Sequence, residues 1–180
     1  MNLPNKLTIM RAIMIIPFVI IMLTNCFGNY GNWVALVIFV VASITDLLDG
    51  KIARKYNLVT NFGKFMDPLA DKLLVCAALI CLMDRGLIPA WVVILIMSRE
   101  FFISGFRLVA SDNGVVIAAS MWGKSKTVSQ MIMTYLMLGN IDFILFKVLT
   151  VIAMWVAVAL TIISLIDYVI KNKEVMKDTK

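Results

Sequence analysis

Long apolar runs separated by short polar breaks dominate the chain. The runs predict helices over residues 5–25, 32–55, 67–84, 87–110, 122–140 and 145–170. Each is close to the roughly 20 residues needed to cross a hydrocarbon core of about 30 Å. The breaks are "NCFGNYGN", "KYNLVTNFG", "DRGLIP" and "LGNIDF", with "KNKEVMKDTK" as a basic tail. The fifth run, "SKTVSQMIMTYLMLG", is polar at its start. Pro4 suits a first helical turn, where its missing N–H costs little, while Pro17 falls inside the first helix and is expected to kink it. No internal repeat is visible. The expected fold is an all-α integral membrane protein, a six-transmembrane-helix bundle over residues 1–170 with a tail over 171–180.

Composition supports this. Hydrophobic residues make up 62% of the 180 and charged residues 16%, against about half and about a quarter in a soluble domain. The first apolar run is too long for a signal peptide and has no obvious small-residue cleavage motif, so it reads as a retained helix. There is no histidine, which excludes His-based catalysis, His-ligated haem and the usual zinc sites. Cys26, Cys76 and Cys81 lie in or beside apolar runs without metal-ligand spacing and read as packing residues.

The net charge of +6 bears on topology and does not imply a nucleic-acid partner. With the N-terminus in the cytoplasm, only Arg85 and Lys147 of the 17 Lys and Arg fall on outer turns. The positive-inside rule then puts both termini on the cytoplasmic side. Basic residues there also suit anionic membrane lipids or phosphorylated substrates.

Carboxylates at the end of an apolar helix need a reason. Asp46 and Asp49 lie three apart, on adjoining parts of one helix face. Asp67 and Asp71 lie four apart at the start of the third helix, where Pro68 is expected in the first turn. The loop between brings these two helix ends together. Four close carboxylates cannot all stay ionised without cations. Lys51, Arg54, Lys64 and Lys72 neutralise part of that charge, and a divalent ion does so better. Oxygen-only ligands point to Mg²⁺ or Mn²⁺, and four carboxylates suit two ions. The simpler reading, helix-end residues at an interface, accounts for any one aspartate but not for the set.

The full pattern is Asp46-x-x-Asp49-Gly50-x-x-Ala53-Arg54, eight residues, then Gly63-x-x-x-Asp67-x-x-x-Asp71. It resembles the signature of the CDP-alcohol phosphatidyltransferase family at every defining position. The resemblance implies that family's six-helix fold, a homodimer, and displacement of CMP from a CDP-linked lipid by an alcohol. It implies Asp46, Asp49, Asp67 and Asp71 as metal ligands and Asp71 as the base for the attacking hydroxyl. It also implies that Gly50, Ala53, Arg54 and Gly63 surround the CDP moiety. "NKLTIMR" is similar to the start of bacterial members that make phosphatidylglycerophosphate, which implies Asn5 and Thr8 as further CDP contacts. Helix capping by Asn5 and interfacial snorkelling by Arg11 remain open beside that reading.

The acceptor is read from elsewhere. Arg99 and Glu100 lie well inside the fourth helix, where ionisable residues default to function. Arg107 is eight residues on, within about 80° of Arg99 around the helix. Lys124 and Lys126 begin the fifth. Together Arg99, Arg107, Lys124 and Lys126 suit a phosphate-bearing alcohol, although pairing of Arg99 with Glu100 is an alternative. "SREF…R…GKSKT" again resembles the bacterial phosphatidylglycerophosphate-making members. That implies CDP-diacylglycerol as donor, glycerol 3-phosphate as acceptor and the bacterial cytoplasmic membrane as location. Inositol phosphate, or phosphatidylglycerol giving cardiolipin, stays open as the acceptor. Direct in-line displacement is favoured over a covalent aspartyl intermediate. A cation transporter is disfavoured, because a pathway needs polar groups through the whole membrane thickness and the outer half offers almost none.

Overall fold

The computed structural model describes the backbone of residues 3–24, 26–55, 61–112, 117 and 120–172, and side chains there except at 3–4, 29, 47, 49–55, 61–65, 67–68 and 111–112. Among the described residues it is all-helical. The helices are α1 (Leu3–Thr24), α2 (Gly31–Lys55), α3 (Asn61–Asp84), α4 (Ala90–Asp112), α5 (Met121–Gly139) and α6 (Ile144–Lys171), with a 3₁₀ turn at Gly28–Tyr30 before α2. All six expected helices are present, with ends shifted by a few residues.

Two expectations about local geometry change. Helix α3 starts at Asn61, so Gly63 lies in its first turn and not in a loop. Pro68 is then the eighth residue of α3 and not in the first turn. The helix continues through it, forgoing the bond a proline nitrogen cannot donate. Helix α1 likewise runs through Pro17 without interruption.

The helix ends follow local chemistry. Helix α3 stops in a Schellman arrangement. Leu87 N donates to Leu82 O and Gly86 N to Met83 O, both at 2.9 Å. Gly86 holds the left-handed conformation this requires, at φ +69. Pro89 precedes α4 and its carbonyl receives Val92 N at 3.1 Å. Beyond α5, Asn140 takes φ +39, a conformation asparagine tolerates better than most residues. In the α5–α6 turn Lys147 Nζ lies 2.5 Å from an Asp142 carboxylate oxygen. The hydrogen bond and the charge of Lys147 hold that carboxyl below its ordinary value.

The chain divides into two compact units, residues 1–87 with 138–140 and residues 88–137 with 141–180. In the first, α1 packs along both α2 and α3, which touch each other only briefly. Its core includes Phe18 and Phe39, with ring centroids 6.0 Å apart, and Ala35, Ala42, Leu74 and Leu79. In the second, α4 packs on α6. Trp91 and Trp155 meet there at 5.9 Å.

Polar side chains turn inward and large apolar ones outward. Thr8, Arg11, Lys126, Thr134, Thr161 and Ser164 are buried, while Ile16, Val37, Leu73, Ile94, Ile132 and Ile152 are exposed. Two helices, Asn5–Thr24 and Ile144–Lys171, are long and apolar enough to cross a membrane by composition, and Gly31–Asp46 forms a shorter apolar segment. Of the remaining helices, α4 carries Arg99 and Glu100 in mid-helix, whereas α3 and α5 hold charged residues in their N-terminal parts and have shorter apolar stretches.

One arginine joins three elements of the first unit. Arg85 Nε and Nη2 donate to Met22 O at 2.9 and 2.6 Å, and Nη1 donates to Asn32 Oδ1. Met22 lies in the last turn of α1, whose carbonyls have no partner within the helix. Arg85→Ala should destabilise the protein by about 2 kcal/mol, seen as a lowered thermal midpoint in detergent. Arg85→Lys should recover only part, because an ammonium cannot reproduce the planar fork.

Candidate active site

On α1, Asn5, Thr8 and Arg11 follow one another at intervals of three and are all buried. Arg11 has no exposed side-chain surface, and its Nη1 is ion-paired with Asp46 Oδ1 on α2. Taking a guanidinium out of water is costly unless a carboxylate faces it. This removes interfacial snorkelling as the account of Arg11. The neighbouring hydroxyls need no outside partner, since Ser43 and Thr45 donate to Phe39 O and Val41 O one turn back, each at 2.7 Å.

Asp71 is half-buried on α3, beside buried Ala70 and Leu74. The helical backbones carry Asp49 one turn beyond Asp46 and Asp67 one turn before Asp71. The side chains of Asp49, Asp67, Ala53 and Arg54, like the surroundings of Gly50 and Gly63, lie outside the described set. Among described residues no group of three acidic, Cys or His side chains gathers to hold a metal. By residue type alone, Asp46, Asp49, Asp67 and Asp71 would offer the oxygen donors that hard ions such as Mg²⁺ or Mn²⁺ take.

The second unit holds a compact charged cluster. Glu100 on α4 receives Arg99 Nη1 at 3.2 Å and pairs with Lys126 Nζ of α5. Arg99 and Lys126 are both buried, so Glu100 sits between two cations and leaves net positive charge. Ser120 caps α5, its Oγ accepting Gly123 N at 3.2 Å. The start of this helix lies close to Arg99, at a distance that leaves ordinary contact room at Gly123. A Cβ there would lie 3.6 Å from Arg99 Nη2 and 3.7 Å from Ser120 Oγ. A helix N-terminus carries partial positive charge, which adds to that of the arginine.

Arg107, two turns along α4, lies over the Tyr168 ring of α6 with Cζ 5.8 Å from its centroid. Phe106 meets the same ring edge-on, at 5.6 Å and 86°. Several polar atoms here are buried without a hydrogen-bond partner: Arg99 Nε, Arg107 Nε, Tyr168 Oη and Asp167 Oδ2. Asp167 is otherwise engaged by Lys171 at 2.7 Å and by Ser120. Unpaired donors beside a net positive cluster suit an anion such as phosphate.

Comparison with known proteins agrees with these features. The family model described as CDP-alcohol phosphatidyltransferase matches residues 1–163. The chain belongs to the CDP-alcohol phosphatidyltransferase family. Within it, the chain is 49% identical to a Bacillus subtilis protein named CDP-diacylglycerol–glycerol-3-phosphate 3-phosphatidyltransferase, covering 98% of this chain and 97% of that one. A Rickettsia typhi protein of the same name is 44% identical over 93% of this chain and 94% of its own length. A Mycobacterium tuberculosis protein named probable phosphatidylglycerophosphate synthase is 41% identical over 93% of this chain and 80% of its own.

Family membership gives the residues read from sequence a common frame, and the geometry sorts them. Arg11 pairs with Asp46, and Asn5 and Thr8 are buried on the same helix as Arg11. Arg99 and Lys126 share Glu100, so the alternative of an Arg99–Glu100 pair also holds. Arg107 stacks on an aromatic ring, and Lys124 is exposed. Glu100 as the joint of the cluster, Asp167 and Tyr168 on α6, and Ser120 were not singled out from sequence. The signal for Glu100 was present, because a buried lysine on α5 needs a carboxylate. Tyr168 carried none, since an aromatic residue near the end of an apolar helix usually marks a membrane interface.

Breaking the charge cluster should be costly. Glu100→Gln leaves Lys126 and Arg99 without their counter-charge and should destabilise the fold by about 3 kcal/mol. The check is a thermal melt in detergent. The double variant Glu100→Gln, Lys126→Met should recover most of the loss, because it removes the buried ammonium as well.

Proposed function

We propose that the protein transfers the phosphatidyl group of CDP-diacylglycerol to glycerol 3-phosphate, releasing CMP and forming phosphatidylglycerophosphate. The observation that carries this reading is the near full-length likeness to relatives of that name, together with the complete aspartate pattern in this chain. The net-positive cluster at Arg99, Arg107 and Lys126 supports an acceptor that is itself a phosphate. A neutral alcohol such as serine would not require it.

The protein works as a six-span homodimer in a bacterial cytoplasmic membrane, with termini and reaction on the cytoplasmic side. Supporting the membrane setting, α1, α2, α4, α5 and α6 each combine buried polar side chains with exposed apolar ones, an arrangement stable with lipid as solvent. Charge bias between the ends of the helices supports the orientation.

In the reaction the acceptor hydroxyl forms a new P–O bond at the phosphatidyl phosphorus. The P–O bond to CMP breaks, and the hydroxyl proton passes to Asp71. Two Mg²⁺ or Mn²⁺ ions held by Asp46, Asp49, Asp67 and Asp71 supply charge neutralisation for the pyrophosphate when bound. Arg11, ion-paired with Asp46, fixes its position. Asn5, Thr8, Gly50, Ala53, Arg54 and Gly63 surround the CDP moiety. Arg99, Arg107, Lys124 and Lys126 bind the acceptor phosphate and so orient its hydroxyl.

The test is CMP release from CDP-diacylglycerol by purified protein with Mg²⁺. Glycerol 3-phosphate, serine, inositol, inositol 1-phosphate and phosphatidylglycerol are offered separately, with a chelator control. Release should occur with glycerol 3-phosphate alone and stop on chelation; release with another alcohol only would overturn the acceptor. Asp49→Asn and Asp67→Asn should each lower turnover at least about a hundredfold in folded protein. Arg107→Ala should raise the KM for glycerol 3-phosphate roughly tenfold or more. Loss of CDP-diacylglycerol binding instead would move that pocket to the donor.

A further inference from the structure

We propose that Tyr168 is a specificity-determining residue for the acceptor, its phenolic hydroxyl donating a hydrogen bond to the acceptor phosphate. The inference rests on the acceptor reading above and adds a residue that neither the aspartate pattern nor the basic residues of α4 and α5 contain.

Tyr168 is only 4% exposed, and its buried hydroxyl has no partner within hydrogen-bond distance; the neighbouring Arg107 guanidinium can act on it only as a donor, which leaves the phenolic O–H free to donate. Burying an unpaired hydroxyl is costly, and such groups are rare unless a ligand completes them. The ring cannot readily swing away to find another partner. Phe106 braces it edge-on and the Arg107 guanidinium covers it. Packing therefore fixes where the hydroxyl points.

Its surroundings decide the class of ligand. Arg99 and Arg107 both lie close enough for their charges to act on the phenol. Each carries a buried Nε without a partner. Two guanidinium N–H donors and one phenolic O–H therefore remain unpaired in one buried region of the second unit. A neutral alcohol group would satisfy one of them and leave the cations uncompensated. A phosphate monoester has three terminal oxygens and up to two negative charges. It can accept from all three donors and neutralise the guanidinium groups.

Charge alone would hold any anion. The phenol adds a neutral donor on a rigid frame, which makes the site selective for an oxygen at one position. Loss of such a donor leaves the electrostatic attraction intact but weakens recognition, the asymmetry expected of a polar group that reads substrate.

The test is Tyr168→Phe, which removes one oxygen and keeps the ring packed against Phe106 and Arg107. CMP release from CDP-diacylglycerol in detergent micelles is followed at varied glycerol 3-phosphate and, separately, at varied donor. The KM for glycerol 3-phosphate should rise roughly tenfold, with the KM for CDP-diacylglycerol and the thermal midpoint unchanged. An unchanged KM for glycerol 3-phosphate would overturn the proposal. Equal rises in both constants, or failure of the variant to fold, would make the hydroxyl structural and would also overturn it. Wild-type protein inactive with glycerol 3-phosphate but active with another acceptor would instead defeat the acceptor assignment, whatever the variant does.

Discussion

A charged group inside an apolar helix must be answered by another, and the polar interior of this protein is organised by that rule. Arg11 has no exposed surface and pairs with Asp46. Lys126 is almost wholly buried and pairs with Glu100, which Arg99 also reaches. Each pairing ties one helix to another at a set position along its length, because an uncompensated buried charge costs far more than any neighbouring apolar contact returns. The apolar residues around them define no such register, since one leucine can slide past another.

The two charged sites differ in composition. In the first unit the Arg11–Asp46 pair ties α1 to α2. In the second unit one glutamate stands between two buried cations, with Arg107 nearby and the capped start of α5 adding positive character. The positive site is the one that suits the phosphate-bearing alcohol of the proposed reaction.

The outward-facing residues complete the physical account. Isoleucine, valine, leucine and tryptophan side chains are exposed on helix after helix while threonines, serines and arginines turn inward. In water this arrangement would drive association or collapse. With lipid as solvent it is the stable one. Interior hydroxyls donate to carbonyls one turn back, as Thr134 does to Gln130 O at 2.9 Å and Thr161 to Ala157 O at 2.6 Å.

Apolar run lengths determined the six helices, and glycine, asparagine and proline positions determined most of their ends. The spacing of Asp46, Asp49, Asp67 and Asp71 with Gly50 and Gly63 pointed to the family. Those features are local or periodic, and periodicity survives in a linear text. Helix α3 started earlier than its apolar run because residues 61–66, a mixed segment that includes Asn61, Gly63 and Lys64, also take helical geometry, which hydropathy does not register. Tertiary structure alone decided who answers whom: Arg11 with Asp46, Lys126 with Glu100, Arg85 with the end of α1, and Tyr168 between Phe106 and Arg107. Such pairs join residues tens of positions apart. Any of several carboxylates or aromatics would satisfy the same demand on paper, and only the packing of the helices selects one.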